Sequence, residues 1–123
     1  MAQSGWLPPF TSSVALARRF VEEAAPGLPP NLLGALRLLV SELATNAVCH
    51  SKSKFIVRLW FEPEAGHVKL EVLDCGAGEP ELADPPFGET GRGLRIVERL
   101  ASDWGWARRP DGKVVWCAVE LAG

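Results

Sequence analysis

Apolar side chains in the N-terminal half of the chain recur every three or four residues, a spacing that is typical of amphipathic helices. The first such run follows the polar triplet Thr11–Ser13, which offers an N-cap, and stops at Pro26. The second follows Pro29 and continues to about His50. The pattern therefore predicts two helices, whose apolar positions are Val14, Leu16, Ala17, Phe20, Val21 and Ala24, then Leu32, Leu33, Leu36, Leu39, Val40, Leu43 and Ala47.

Alternation of apolar and polar residues replaces this spacing after residue 54. Two such segments, from Phe55 to Phe61 and from Val68 to Val72, predict two strands joined by a hairpin turn over Glu62–Gly66. Helical spacing returns from about Arg92 to Asp103 and predicts a third helix. The last residues, 104–109 and 114–121, predict a second hairpin.

This order of elements predicts an α+β fold, a two-layer sandwich with about three helices on one face of a mixed, mostly antiparallel sheet. The prolines of the first ten residues allow at most a short edge strand there. The length of 123 residues fits one domain over 1–123.

Composition narrows the classes of partner and of site. The 13 basic and 15 acidic residues give a net charge of -2, so the chain has no global field to hold nucleic acid or an anionic membrane. Uninterrupted apolar runs are short, and we expect a soluble cytoplasmic protein. Cys49, Cys75 and Cys117 have no C-x-x-C spacing, which predicts small buried side chains and neither disulfide nor zinc.

Polar residues interrupt the apolar pattern at three places. Glu42, Asn46 and His50 follow one another at intervals of four along the edge of the second helix, a carboxylate, an amide and an imidazole that suit a divalent ion and a proton acceptor. The alternative is a helix border whose polar groups are satisfied by their own hydrogen bonds.

The second interruption is Asp74, which has the parity of the apolar residues in its strand and so points its carboxylate toward the core. Gly76 and Gly78 follow it and allow a close backbone approach to a ligand, although an Asp that opens an ordinary turn is the alternative. The third is Gly91–Leu94, two glycines at a helix start where free N–H groups favour an anion, or simply a tight loop entry. Along the chain, the three interruptions thus offer residues for an ion, an acceptor for a base and donors for a phosphate. One nucleotide could contact all three.

These three segments resemble the motifs of the GHKL ATPases. Residues 42–50 resemble the N box, 74–78 the G1 box and 91–94 the G2 box. The chain is most similar to the anti-sigma factor serine/threonine kinases, the RsbW and SpoIIAB-like group, over nearly its whole length. The resemblance implies the Bergerat fold of the histidine-kinase-like ATPases and the cofactors ATP and Mg²⁺.

The resemblance also implies a role for each motif residue. Glu42 would be the general base, Asn46 the Mg²⁺ ligand and Asp74 the acceptor for the adenine amine. His50 would lie near the phosphates or serve packing. The glycines of the base pocket would be Gly76 and Gly78, and the backbone donors to the phosphates would be Gly91, Arg92, Gly93 and Leu94.

The implied activity is phosphorylation of a serine on a STAS-domain anti-sigma factor antagonist, by a protein that alternately holds a sigma factor inactive and that could be a homodimer. A nucleotide-binding regulatory module that binds a partner without phosphorylating it is a second hypothesis, and an interaction protein without nucleotide a third. One departure concerns the base pocket, where many superfamily members have a threonine and this chain has Val114 and its neighbours. Lys113 beside them could lie along the surface or approach a phosphate.

Overall fold

The computed structural model describes residues 1–76, 97 and 99–121. Two helices, α1 (Thr11–Ala24) and α2 (Pro30–Asn46), precede a π-helical turn over Ala47–Ser51. The strands form one five-stranded sheet in the order β1-β2-β3-β5-β4, and every pairing between them is antiparallel. The predicted α+β class is confirmed, with strands β1 (Ala2–Gln3), β2 (Phe55–Glu62), β3 (His67–Asp74), β4 (Asp103–Arg109) and β5 (Gly112–Glu120).

Strand register brings one end of the sheet together. In the predicted hairpin of β2 and β3, Phe55 lies opposite Asp74, and a 3₁₀ turn over Pro63–Ala65 closes the far end. On its other side β3 pairs with β5, which places Lys113 opposite Asp74. The last residue of β3 is therefore enclosed by a neighbouring strand on each side.

The core lies between one face of the sheet and the two helices. Alternate strand residues and the apolar stripes of α1 and α2 are almost inaccessible to solvent, and Leu39, Val57 and Leu70 have no exposed surface. An ion pair of 3.1 Å between Arg37 and Glu22 ties α2 to α1 at the surface. On the opposite face of the sheet, Ile56, Leu73 and Val114 form a second, small apolar cluster.

The helix ends differ from the sequence predictions in detail. Helix α1 begins at Thr11 itself with Phe10 as its N-cap and no side-chain cap, so the predicted cap at Thr11–Ser13 is wrong. Helical structure does extend past His50, but the last five residues are π-helical rather than α-helical. Of the predicted third helix the structure describes only the end, where the Ala101 N–H donates to the Val97 carbonyl at 2.8 Å, and β4 follows at Asp103.

The helical stretch Pro30–Ser51 is long and apolar enough by composition to cross a membrane, with a mean hydropathy of 1.4 over its most apolar window. The lengths of uninterrupted apolar runs in the sequence did not reveal this stretch, because its apolar residues are interspersed with polar ones. In the structure 44% of that window is buried inside the molecule, where it supplies the helical side of the core.

The three cysteines are free thiols in two environments. Cys117 is buried in the core, where desolvation raises the pKa of its thiol to about 12. Cys49 and Cys75 are exposed, so the prediction that all three are buried is wrong for these two.

Phe55 and Phe61 allow a matched test of this packing because they share a strand and a parity. Phe55 has no exposed surface, whereas Phe61 is 38% exposed. We expect Phe55→Ala to lower the free energy of unfolding by about 3 to 5 kcal/mol, because the mutation leaves a cavity in the core. Phe61→Ala should lower it by less than half as much. Chemical denaturation measures both, and equal losses would contradict the described placement of β2.

Candidate functional site

The end of α2 carries the first part of the site. Glu42 and Asn46 lie one turn apart on α2, with Glu42 half-buried and Asn46 only 1% exposed. The π-helical turn that follows is closed by a bond from the Lys52 N–H to the Ala47 carbonyl, five residues earlier. One extra residue in the turn rotates Ser51 back toward the side of Asn46.

The row of polar residues predicted at intervals of four is therefore continuous only from Glu42 to Asn46. The α-helix ends there, and beyond it the spacing of one α-helical turn no longer applies. His50 is half-buried, and its imidazole makes no hydrogen bond to a side chain or backbone group in the described ranges. The residue after it, Ser51, makes the polar contact instead.

Asn46 has an unusual environment for a buried amide. Neither its side-chain nitrogen nor its oxygen has a hydrogen-bond partner within the described part of the chain. A buried polar group without a partner costs about 1 to 3 kcal/mol. The alternative of a helix border satisfied by its own hydrogen bonds therefore does not hold at Asn46.

Asp74 occupies the core-facing position at the end of β3 that its parity predicted, and its side chain is 1% exposed. Its Oδ1 accepts a hydrogen bond from the Gly76 backbone N–H at 2.9 Å, and its Oδ2 accepts one from the Ser51 hydroxyl at 2.8 Å. Ser51 thus joins the end of α2 to the end of β3.

Gly76 has a structural requirement at this junction. A Cβ at residue 76 would lie 2.8 Å from the Ser51 Cβ, which is closer than two carbon atoms can approach. The glycine was predicted to admit a ligand near the backbone, and the neighbour that the structure shows is Ser51. Beside it an open cleft of about 420 Å³ extends from Gly76 along residues 108–112 of the β4–β5 connection.

Lys113 completes the cluster from β5. Its side chain is 3% exposed, and its Nζ lies 3.1 Å from Asp74 Oδ2 and 3.3 Å from Oδ1. The same ammonium donates to the Ser51 hydroxyl. The predicted placement of Lys113 along the surface is therefore wrong, and an approach to a phosphate stays a prediction.

The sequence patterns did not predict Ser51 or Lys113 as partners of Asp74. A signal for Lys113 existed, because it shares the parity of the apolar residues Val115, Cys117 and Val119 and is the one charged position among them. It breaks the alternation of β5 as Asp74 breaks that of β3. Ser51 had no comparable signal, because its position depends on the π-helical turn.

Gly112 lets the β4–β5 turn approach the end of β3. Its φ is 151°, and a Cβ there would lie 1.8 Å from the Asp74 carbonyl oxygen. Only glycine tolerates this contact. The backbone of β5 is thereby held against the last residue of β3, at the level of the Asp74 carboxylate.

The buried polar groups at this site fit the nucleotide and the ion that the sequence motifs imply. Asp74 is a buried acceptor at a strand end, which suits an exocyclic amine. The Asn46 amide oxygen, which has no partner among the residues that the structure describes, suits Mg²⁺. This ion takes one or two protein oxygens and completes its shell with phosphates and water. The other predicted site residues, Gly78, Gly91, Arg92, Gly93 and Leu94, lie outside the described residues, and their roles stay predictions.

Comparison with known proteins identifies the family. Residues 7–119 match the histidine kinase-like ATPase domain family. An uncharacterized protein of Streptomyces coelicolor is 34% identical over an alignment of 89 residues, and the match covers 68% of this chain and 82% of the relative.

Two solved structures share the fold. The structure of the RsbU and RsbW domains of a Mycobacterium tuberculosis protein superposes with a TM-score of 0.72 at 19% identity, over 98% of this chain and 33% of the other. The histidine kinase domain of a blue-light activated kinase from Erythrobacter litoralis gives a TM-score of 0.59 at 25% identity, over 94% of this chain and 62% of the other.

The chain thus spans about a third of the first of these solved proteins and less than two thirds of the second. The match to the family, by contrast, includes both helices and strands β2 to β5 almost completely. The N box, the G1 box and four of the five strands fall within it, as the GHKL resemblance predicts. The chain belongs to the histidine kinase-like ATPase domain family, and this membership implies that it binds ATP.

Proposed function

We propose that the protein is an ATP- and Mg²⁺-dependent serine/threonine kinase of the anti-sigma factor type that acts by partner switching. Its substrate would be a serine on a STAS-domain antagonist, and the same surface would alternately hold a sigma factor inactive. The likeness of fold to a solved structure with an RsbW domain supports this choice within the family. The site would act in the cytoplasm, without direct contact to nucleic acid or membrane.

The order of polar groups along α2 carries the proposal. Ser51 binds Asp74 at the C-terminal end of the helical stretch, Asn46 follows toward the N-terminus, and Glu42 lies one turn further. Four residues of α-helix separate Asn46 and Glu42 by about 6 Å along the axis. A nucleotide whose base contacts Asp74 would therefore extend its phosphates toward Asn46 and direct its terminal phosphate toward Glu42.

Each residue has one task in this arrangement. Asp74 accepts the hydrogen bond of the adenine amine and so sets the direction of the nucleotide. Asn46 uses its free amide oxygen to hold the ion, and Mg²⁺ when bound offsets the phosphate charge. Glu42 accepts the proton of the attacking serine hydroxyl as the oxygen approaches the γ-phosphate. The helix fixes the relative positions of Asn46 and Glu42, since both side chains project from the same rigid segment.

A non-catalytic regulatory module is the alternative that the same site permits. It would need Asp74 and Asn46 for nucleotide binding but would not need a base at Glu42. A partner that binds in an ATP-dependent way and is never phosphorylated would indicate this second function. The two functions differ in what Glu42 does, and a substitution there separates them.

Replacement of Asn46 tests the ion site by opposite effects on stability and binding. Asn46→Leu removes the two unpartnered polar atoms and keeps a similar volume, so the free energy of unfolding without nucleotide should rise by about 1 to 3 kcal/mol. The same variant should lose the Mg²⁺-dependent part of ATP binding. Denaturation and isothermal titration with ATP, with and without Mg²⁺, measure the two effects.

Asn31→Leu is the matched control, because Asn31 is exposed in the first turn of the same helix. It should leave both stability and ATP binding close to those of the unmodified protein. Mg²⁺-dependent binding that persists in Asn46→Leu would contradict the assignment of Asn46, and a loss of stability would show that the amide has a structural partner.

Replacement of Glu42 tests the transfer step. Glu42→Gln should keep the Kd for ATP and lower the rate of phosphate transfer by about 100-fold or more, because it removes only the proton acceptor. The assay follows labelled γ-phosphate from ATP to STAS-domain proteins encoded in the same genome. Glu64→Gln is the control, at an exposed residue of the turn between β2 and β3. This substitution should change neither the Kd for ATP nor the rate of phosphate transfer.

Transfer at an undiminished rate in Glu42→Gln would show that Glu42 is not the base. If both the unmodified protein and Glu42→Gln bind ATP and a STAS-domain partner but neither transfers phosphate, the result would favour the non-catalytic module.

A further inference from the structure

The Asp74 carboxylate is saturated by the protein itself. Oδ1 accepts from the Gly76 N–H and lies 3.3 Å from Lys113 Nζ, whereas Oδ2 accepts from Ser51 and lies 3.1 Å from the same ammonium. A carboxylate offers about four acceptor sites. All four are used, so an incoming amine can bind only where one of these contacts is released.

Lys113 makes the contact that can be released. Gly76 donates through its backbone N–H, and Ser51 donates through a short side chain on a helical turn, so neither donor can easily move away from Asp74. Lys113 reaches Asp74 through four rotatable bonds, and its contact with Oδ1 is the longest of the four. The exchange therefore involves the ammonium of Lys113 and the Oδ1 atom of Asp74.

The ammonium needs a new acceptor once it leaves Oδ1. Its three N–H groups are directed at Ser51 and at both oxygens of Asp74, so one donor becomes free. Adenine presents an acceptor, ring atom N1, next to the amine that Asp74 takes. Transfer of the Lys113 donor from Oδ1 to N1 leaves every donor and acceptor in the site paired.

We propose that Lys113 is the second base-reading residue of this pocket and donates to adenine N1 beside the amine accepted by Asp74. This inference rests on the proposed ATP site and deepens it. Residues 114–117 have no threonine, although many superfamily members place one in this part of the last strands. Val114, the first of them, faces the opposite side of the sheet with Ile56 and Leu73. Lys113 supplies from the neighbouring position the polar contact that Val114 lacks.

The pair also selects between purines. In the orientation that suits adenine, guanine would place its O6 carbonyl against the carboxylate and its N1–H against the ammonium. Both contacts would be repulsive. The site should therefore prefer ATP to GTP, and part of this preference should depend on Lys113.

A nucleotide analogue isolates the proposed contact. 1-Deaza-ATP carries C–H in place of N1 and keeps the amine, so the unmodified protein should bind it about tenfold more weakly than ATP. Lys113→Met removes the donor and should bind both nucleotides with equal affinity. Lys113→Gln retains a neutral donor and should keep part of the difference. Isothermal titration in the presence of Mg²⁺ measures all three.

Lys69→Met is the matched control. Lys69 lies on β3 with its Nζ 5.3 Å from the ring centre of Trp60 and 3.4 Å from a Glu71 oxygen, away from the Asp74 cluster. This variant should keep the tenfold difference. Thermal melting checks that each variant is folded, since loss of Lys113 leaves Asp74 buried without its counterion.

The outcomes separate this inference from the proposed function. Equal affinity of the unmodified protein for ATP and 1-deaza-ATP, with ATP binding that Asp74→Asn abolishes, would overturn the role of Lys113 alone. A persistent difference in folded Lys113→Met would do the same. No binding of ATP at all would overturn both. If Lys113→Met does not fold, the comparison of the two nucleotides on the unmodified protein and on Lys113→Gln decides the question.

Discussion

A single buried carboxylate joins three parts of this chain. Asp74 at the end of β3 binds Ser51 from the helical layer, Lys113 from β5 and the backbone of Gly76 in the segment that follows. Breaking a buried pair of charges by removing one partner costs about 3 to 5 kcal/mol, whereas an apolar replacement of the whole pair is often neutral. The charges are therefore not explained by stability, and their presence at this position agrees with a role in binding a ligand.

Asn46 shows the same conflict between stability and binding in a neutral group. An amide that is buried without hydrogen bonds weakens the folded state before any ligand arrives. A bound ion, together with the phosphates that it carries, would give the amide oxygen a bond and so offset that loss of stability. Asn46 and Asp74 thus represent two kinds of polar site in an apolar layer. Asn46 has no side-chain partner among the described residues, whereas Asp74 has several.

The elements with a clear period could be predicted from the sequence. The parity of Val68, Leu70 and Val72 placed Asp74 on the core side, and the structure has it there. Prediction was weaker where a feature depends on contacts between distant segments. Ser51 enters the site through a π-helical turn that no spacing rule encodes, and Lys113 meets Asp74 only through the register of β3 with β5. The interval of four residues placed Glu42 and Asn46 on one helix, and the structure has both on α2. The family resemblance could not supply Lys113 as the partner of Asp74, because many superfamily members have a threonine in this part of the last strands.

The π-helical turn makes the site sensitive to chain length rather than to side-chain identity. Loss of one residue between Ala47 and Ser51 would restore ordinary α-helical geometry, in which each residue advances by about 100° around the axis. The hydroxyl would then point away from β3, while the apolar stripe of α2 before Asn46 would keep its place in the core. A one-codon deletion in this turn would thus disconnect the helical layer from the base pocket and spare the fold, an outcome that no single substitution in α2 would imitate.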